Sequence, residues 1–134
     1  PKSIHMKIES VEKDVAIIKC SAGSDSRFID FSIEEGFKGI IIEALGRGNV
    51  PPAMVEGIKR AVMKNIPVVI VSRCFEGRVF ESYGYEGGGK ELKEIGCIFG
   101  DVLTSQKARI KLIAAINYSD DIDKIKEIFQ FNII

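Results

Sequence analysis

The sequence has 134 residues, of which 46% are apolar, and its 19 lysines and arginines are balanced by 19 aspartates and glutamates. This length fits one domain, and a chain of this size and composition can fold alone without disulfides or metal ions. Zero net charge without a basic block argues against a nucleic-acid binder, and the apolar runs are too short for a membrane span, so we expect a soluble protein.

The cysteines and the first residue add two expectations. Cys20, Cys74 and Cys97 are an odd number and lack the paired spacing of metal ligands. This pattern is typical of a reducing compartment, and we expect a cytoplasmic protein. The chain starts at Pro1 rather than at Met. We therefore expect a piece of something longer.

The first half of the chain predicts strands that alternate with helices. Residues 14–20 form a short β-branched run, and residues 26–35 predict a short helix that ends at Gly36. Residues 39–42 have the continuous apolar character of a strand covered on both faces. Residues 52–65 carry apolar side chains at helical spacing after a proline start, which predicts the clearest helix.

The second half continues the alternation after a long glycine-punctuated stretch. The predicted elements are a strand at residues 67–71, a brief helix at 91–94, a strand at 97–99, a helix capped by Thr104 that runs through 117, and a last helix capped by Asp120.

Continuous apolar strands that alternate with helices predict right-handed βαβ units. The predicted fold class is therefore α/β: a three-layer α/β/α domain with a four-stranded parallel sheet, in one domain over residues 1–134. Ligands of such sheets meet the loops at the carboxyl ends of the strands. The predicted ligand-edge loops are residues 20–26, 43–52, 72–89 and 100–104.

The glycine-rich segment at residues 84–90 has the spacing of a phosphate-binding loop. Glu91 follows it where a Ser or Thr hydroxyl would hold a metal ion, and its carboxylate would repel phosphate. We therefore predict a plain loop and no nucleotide site.

Two other loops carry candidate side chains. The Gly-Arg-Gly-Asn run that ends at Asn49 predicts a tight turn that presents one amide, although a plain turn before a helix explains the same residues. Arg73 and Cys74 follow the third strand, where a guanidinium would make a thiol more acidic, and a buried inert cysteine is the alternative.

Four segments in order carry a resemblance to a known family. They are Gly-Arg-Gly-Asn-Val-Pro at residues 46–51, Ser-Arg-Cys-Phe-Glu-Gly at 72–77, Tyr-Gly-Tyr-Glu-Gly-Gly-Gly at 83–89 and Leu-Thr-Ser-Gln-Lys-Ala-Arg at 103–109. Their order and spacing, followed by a closing helix at residues 124–129, resemble the C-terminal domain of bacterial-type L-asparaginases over nearly the whole chain.

This resemblance implies a domain that is flavodoxin-like in general character and belongs to a two-domain amidohydrolase. Such enzymes hydrolyse L-asparagine to L-aspartate and ammonia through a Thr nucleophile, without metal or organic cofactor. The family's catalytic motifs, Thr-Gly-Gly-Thr and His-Gly-Thr-Asp-Thr, belong to the N-terminal domain and are absent here. The resemblance therefore implies no catalytic residue in this chain, which should be inactive by itself.

The resemblance also implies partners and site residues. The C-terminal domain of the family builds a dimer and lends residues to the neighbouring subunit's active site, so we expect a homodimer or homotetramer. By motif position, Asn49 is a substrate contact, and Glu86 is a candidate carboxylate for the substrate ammonium. Cys74 stands where cytoplasmic members carry a Cys near a regulatory asparagine site.

Two alternatives stay open from the sequence. One is the asparaginase-like subunit of a glutamyl-tRNA amidotransferase, which shares the architecture. The other is a non-enzymatic small-molecule-binding α/β domain.

Overall fold

A computed structural model describes residues 14–73 and 86–131 of the chain. Strands and helices alternate through these residues and then give way to two helices. The elements are β1 (Val15–Lys19), α1 (Arg27–Glu34), β2 (Gly39–Ala44), a 3₁₀ turn (Pro52–Met54), α2 (Val55–Met63), β3 (Val68–Ser72), α3 (Gly89–Ile95), β4 (Ile98–Phe99), α4 (Ser105–Tyr118) and α5 (Ile122–Phe129).

The four strands of the described residues form one parallel sheet in the order β1-β2-β3-β4. Because every crossover advances in the same direction, the three crossover helices α1, α2 and α3 fall on one face. The last two helices, α4 and α5, cover the other face. The predicted three-layer α/β architecture with a four-stranded parallel sheet is confirmed.

The first layer of the core lies between the sheet and the crossover helices. Ile40, Ile42 and Ile70 project from the strands and pack with Ile29 of α1 and Ile58 of α2. All five side chains are fully buried. Burying an aliphatic side chain of this size contributes about 1.5–3 kcal/mol, so this layer holds the crossover helices in place.

The second layer uses the alternate residues of the same strands. Ile41 and Val69 pack against Leu112 of α4 and Ile128 of α5. Gly39 at the start of β2 leaves room for α4, because a Cβ at this position would lie 2.7 Å from Leu112 Cδ2. Strands buried on both faces need apolar residues at every position, which explains the unbroken apolar runs in the sequence.

The last two helices show how closely the caps could be predicted. The Thr104 hydroxyl accepts a hydrogen bond from the Lys107 amide at 3.3 Å, as predicted for α4. The cap of α5 is Asp121 rather than Asp120, since the Asp121 carboxylate accepts from the Asp123 amide at 3.0 Å. Adjacent aspartates make this one-residue difference invisible to a sequence pattern.

A buried lysine fastens α5 to α4. Lys111 Nζ donates to the carbonyl of Phe131 at 2.6 Å and lies 5.0 Å from the centre of the Phe129 ring. Burial lowers the pKa of this ammonium, and the charge of Asp101 opposes that shift. Along the two described stretches, no helix is long and apolar enough to cross a membrane.

Candidate functional site

The turn after β2 is closed by its own backbone. The Leu45 amide donates to the Asn49 carbonyl at 2.8 Å, and the Asn49 amide donates back to the Leu45 carbonyl at 3.1 Å. This pair forms an isolated antiparallel bridge. Between its ends, Gly46 and Gly48 have φ angles of +49° and +115°. Glycine adopts such angles at little steric cost, so the predicted tight turn is confirmed.

The end of β3 holds this turn from the side. The Ser72 hydroxyl donates to the Gly46 carbonyl at 2.6 Å, and the Arg73 amide donates to the Ala44 carbonyl at 3.2 Å. The Ser72 bond fixes the turn relative to the sheet, and the Arg73 bond extends the pairing of β3 with the end of β2. Asn49 therefore stands on a rigid support rather than on a free loop.

The side chain of Asn49 lies against the turn. Its Oδ1 is shielded from solvent, and a Cβ at Gly46 would lie 3.5 Å from that oxygen. The residue as a whole is half-buried. An amide offers both a donor and an acceptor to a polar ligand. The turn thus holds the Asn49 amide at the carboxyl end of the sheet, the edge at which ligands of parallel sheets bind.

The segment that carries Glu86 packs directly behind this turn. The Val50 amide donates to the Gly87 carbonyl at 2.8 Å. The Cα of Gly87 lies so close to the Val50 carbonyl that no side chain fits there, and its φ is +81°. Because Val50 follows Asn49 and Gly87 follows Glu86, the two candidate residues lie on adjoining loops. Glu86 is exposed.

The glycine-rich segment is not arranged for phosphate. The Glu91 carboxylate folds back and accepts a hydrogen bond from the Gly87 amide at 2.8 Å. A phosphate loop would offer such an amide to the anion, and here a carboxylate already occupies it. This contact argues against a phosphate loop, and α3 already begins at Gly89, so the last two residues of the predicted loop are helical.

The third candidate, Cys74, lies outside the described residues. Its neighbour Arg73 is exposed at the end of β3. Burial raises the pKa of the Cys20 thiol to about 11. The charge of Arg73 lowers that pKa, and the charge of Glu43 raises it. In residues 14–73 and 86–131, no three His, Cys, Asp or Glu side chains come together in a way that could hold a metal ion.

One polar contact at this edge escaped the sequence interpretation. The Ser105 hydroxyl, at the start of α4, donates to the Glu43 carboxylate at 3.0 Å. The two residues are 62 positions apart. Ser105 is buried and Glu43 is half-buried. A charged residue that interrupts an apolar strand is the signal that marks Glu43. Its hydroxyl partner in α4 has no corresponding signal, because the pairing depends on how α4 packs on the sheet.

Comparisons with known proteins place the chain in one family. The family described as Glutaminase/Asparaginase C-terminal domain matches residues 14–129. An L-asparaginase of Bacillus licheniformis is 40% identical over 98 residues, which are 73% of this chain and 30% of that protein. A glutamyl-tRNA(Gln) amidotransferase subunit from Methanopyrus kandleri is 34% identical over 122 residues, which are 91% of this chain and 26% of that protein.

The corresponding amidotransferase subunit from Methanobrevibacter smithii is 34% identical over 124 residues, or 92% of this chain and 28% of that protein. The chain thus spans less than a third of the length of these curated relatives.

Proposed function

Because the chain belongs to the glutaminase/asparaginase C-terminal domain family, we propose that it is the C-terminal domain of an L-asparaginase. The parent enzyme would hydrolyse L-asparagine to L-aspartate and ammonia. The chain itself would serve dimerisation and would complete the neighbouring subunit's active site. The L-asparaginase of Bacillus licheniformis, at 40% identity, supports this assignment.

The observation that carries the proposal is the support of Asn49. Its turn is closed by two main-chain bonds and clamped by Ser72, so its amide is held before any ligand arrives. A positioned group loses little entropy on binding. We infer that this amide contacts the substrate in the neighbouring subunit, and that the exposed carboxylate of Glu86 contacts the substrate ammonium.

The nucleophile would come from the rest of the parent protein. The sequence contains a single threonine, Thr104. Its hydroxyl accepts the hydrogen bond that caps α4. A nucleophilic threonine instead needs a neighbouring base to take its proton. The capping role supports assigning the Thr nucleophile to the N-terminal domain of the proposed enzyme, with no catalytic residue in this chain.

The test is an Asn49→Ala substitution in the full-length enzyme. We expect kcat/KM for L-asparagine to fall more than tenfold, since losing a hydrogen bond to a charged group costs about 1.5–3 kcal/mol. Asn117→Ala is the matched control, because it removes the same amide from α4, where it donates to the Ile113 carbonyl at 2.8 Å. Unchanged kinetics in Asn49→Ala would remove this residue from the site.

Coverage favours a second candidate function. The two amidotransferase subunits match 91% and 92% of the chain, whereas the L-asparaginase matches 73%. The chain would then belong to the asparaginase-like subunit of a glutamyl-tRNA(Gln) amidotransferase. Release of ammonia from free L-asparagine without any tRNA supports the first function. Hydrolysis that requires glutamyl-tRNA(Gln) supports the second.

A further inference from the structure

Glu91 stands where a phosphate loop would have a hydroxyl, and its carboxylate is used differently here. The residue lies in the first turn of α3 and is half-buried. Its Oε1 accepts a hydrogen bond from the Gly87 amide at 2.8 Å. Gly87 precedes the N-cap of the helix, which is Gly88. The contact therefore holds the chain that leads into α3 as well as the helix itself.

This hydrogen bond orients the peptide group that joins Glu86 to Gly87. A peptide group is planar, so a bond to the Gly87 amide fixes the direction of the whole plane, including its attachment to Glu86. Because the acceptor is a carboxylate, the bond is stronger than one between neutral groups. The carboxylate of Glu91 thus sets the direction in which the main chain places Glu86.

The same glycine is tied on its other side to the turn of Asn49. The Gly87 carbonyl accepts a hydrogen bond from the Val50 amide at 2.8 Å, and Val50 follows Asn49 in the chain. The φ of Gly87 is +81°, which glycine adopts at little steric cost. One of its peptide groups is held by Glu91 and the next by Val50. Gly87 therefore links the placement of Glu86 to that of Asn49.

Three consecutive glycines, residues 87–89, make such an anchor necessary. Glycine loses more conformational freedom on folding than any other residue, so a run of three is costly to hold in one shape. All three are buried here. The N-cap glycine has no side chain that could accept an amide at the start of α3. The Glu91 carboxylate supplies, from within the helix, the polar partner that these glycines lack.

We propose that Glu91 is a positioning residue of the candidate site, whose bond to the Gly87 amide fixes Asn49 and Glu86 relative to each other. Glu91 itself touches no substrate. The inference rests on the proposed function for what Asn49 and Glu86 contact, which is an amino acid with an ammonium group. The link between their two loops is measured without substrate, so it can be tested separately.

The first test measures the link between the loops in the 134-residue chain by amide hydrogen exchange. Glu91→Ala removes the acceptor, and the Val50 amide should then exchange about tenfold faster or more, because the carbonyl that it bonds is no longer held. Glu91→Gln keeps an acceptor oxygen, so exchange should stay within about threefold of the wild type. The Cys20 amide, which donates to the Glu43 carbonyl at 2.9 Å, should exchange at its wild-type rate in both variants.

The second test measures the reaction in the full-length enzyme. Glu91→Ala should lower kcat/KM for L-asparagine about tenfold or more, since small displacements of positioned groups are costly. We expect most of this change in KM rather than in kcat, because the substrate ammonium takes no part in bond breaking. Glu91→Gln should restore most of the loss.

Two controls separate positioning from general stability. Glu94→Ala removes an exposed carboxylate from the same helix and should change neither the Val50 exchange rate nor KM. Gly36→Ala strains the turn between α1 and β2, where φ is +78°, and should destabilise the domain without changing KM. If Glu91→Ala also leaves KM unchanged while stability falls, Glu91 only supports the fold and the inference is wrong.

An unchanged Val50 exchange rate in Glu91→Ala would likewise overturn the inference. Faster exchange with unchanged kcat/KM would overturn it too, in an enzyme that Asn49→Ala impairs. If Asn49→Ala leaves the kinetics unchanged, the proposed function fails instead. The exchange rate of Val50 then decides by itself whether Glu91 holds the two loops together.

Discussion

Two thiols show how burial decides what a cysteine can do. Cys20 is fully buried and its thiol lies 3.5 Å from the sulfur of Met54, while Cys97 is 7% exposed. Burial raises the pKa of Cys20 to about 11 and that of Cys97 to about 12. A thiol with such a pKa holds its proton at neutral pH, and only the thiolate is a nucleophile. Both residues therefore act as core side chains.

The raised pKa of Cys97 predicts a stability effect at alkaline pH. An unfolded cysteine loses its proton near pH 8.5, whereas the native thiol keeps it until about pH 12. Between these values the native state binds more protons, so the free energy of unfolding falls as pH rises, by about 1 kcal/mol per unit for this group. Urea unfolding from pH 8 to 10.5 should show a steeper fall for the wild type than for Cys97→Ala.

The difference between the two proteins isolates Cys97 from the other groups that titrate over this range. Parallel curves would mean that the thiol is not shielded in the native state. Iodoacetamide labelling at pH 8 gives a further check, since Cys97 should react only after unfolding.

At the scale of elements, one close contact joins the two candidate loops. Gly87, just before α3, has a φ of +81°, and its Cα lies against the Val50 carbonyl. The Gly87 amide donates a hydrogen bond to the carboxylate of Glu91, which lies in α3. The start of α3 and the turn that holds Asn49 are therefore packed as one unit.

We predict that Gly87→Ala destabilises the protein more than Gly36→Ala. Gly36 has a similar φ of +78°, and a Cβ there would have no neighbour within 4 Å. Both variants bear the strain of a left-handed alanine, about 1–2 kcal/mol, but Gly87→Ala also forces the loops apart, at a further cost of about 1–3 kcal/mol. Urea unfolding measures both values. Equal losses would show that the contact with Val50 is easily relieved.

The sequence predicted what depends on local pattern and on burial. All four strands, the helix cap at Thr104 and the parallel sheet follow from apolar runs and turn residues, whereas the predicted cap at Asp120 was wrong by one residue. Contacts across long separations could not be predicted, since they depend on how the layers stack. The bond from Ser105 to Glu43 spans 62 positions, and that from Arg109 to Val15 spans 94.

The candidate site was also predictable only where it depends on local sequence. The tight turn before Asn49 could be predicted from its two glycines, whereas its clamp by Ser72 could not. The position of Glu86 beside that turn depends on the contact between Gly87 and Val50, which only the folded chain brings together.

At the scale of the whole molecule, the described residues form a core of their own. Both faces of the sheet are covered within the described residues, and 26 apolar side chains there are buried. Strands closed on both faces give the domain its own core. The same chain has one threonine, which caps a helix. We therefore expect this domain to fold without the part of the proposed enzyme that would carry the chemistry.

We therefore predict that the purified 134-residue chain unfolds in a single cooperative transition in urea but releases no ammonia from L-asparagine. Its core predicts the first result, since small domains with one core usually unfold in two states. The proposed place of the nucleophile, in the rest of the parent protein, predicts the second result, because an amide without an attacking group breaks no bond. A coupled ammonia assay at high protein concentration measures turnover, with full-length enzyme as the positive control. Turnover that persists in Thr104→Val would place a catalytic group elsewhere in this chain, and turnover that is lost in that variant would make the helix cap itself the nucleophile.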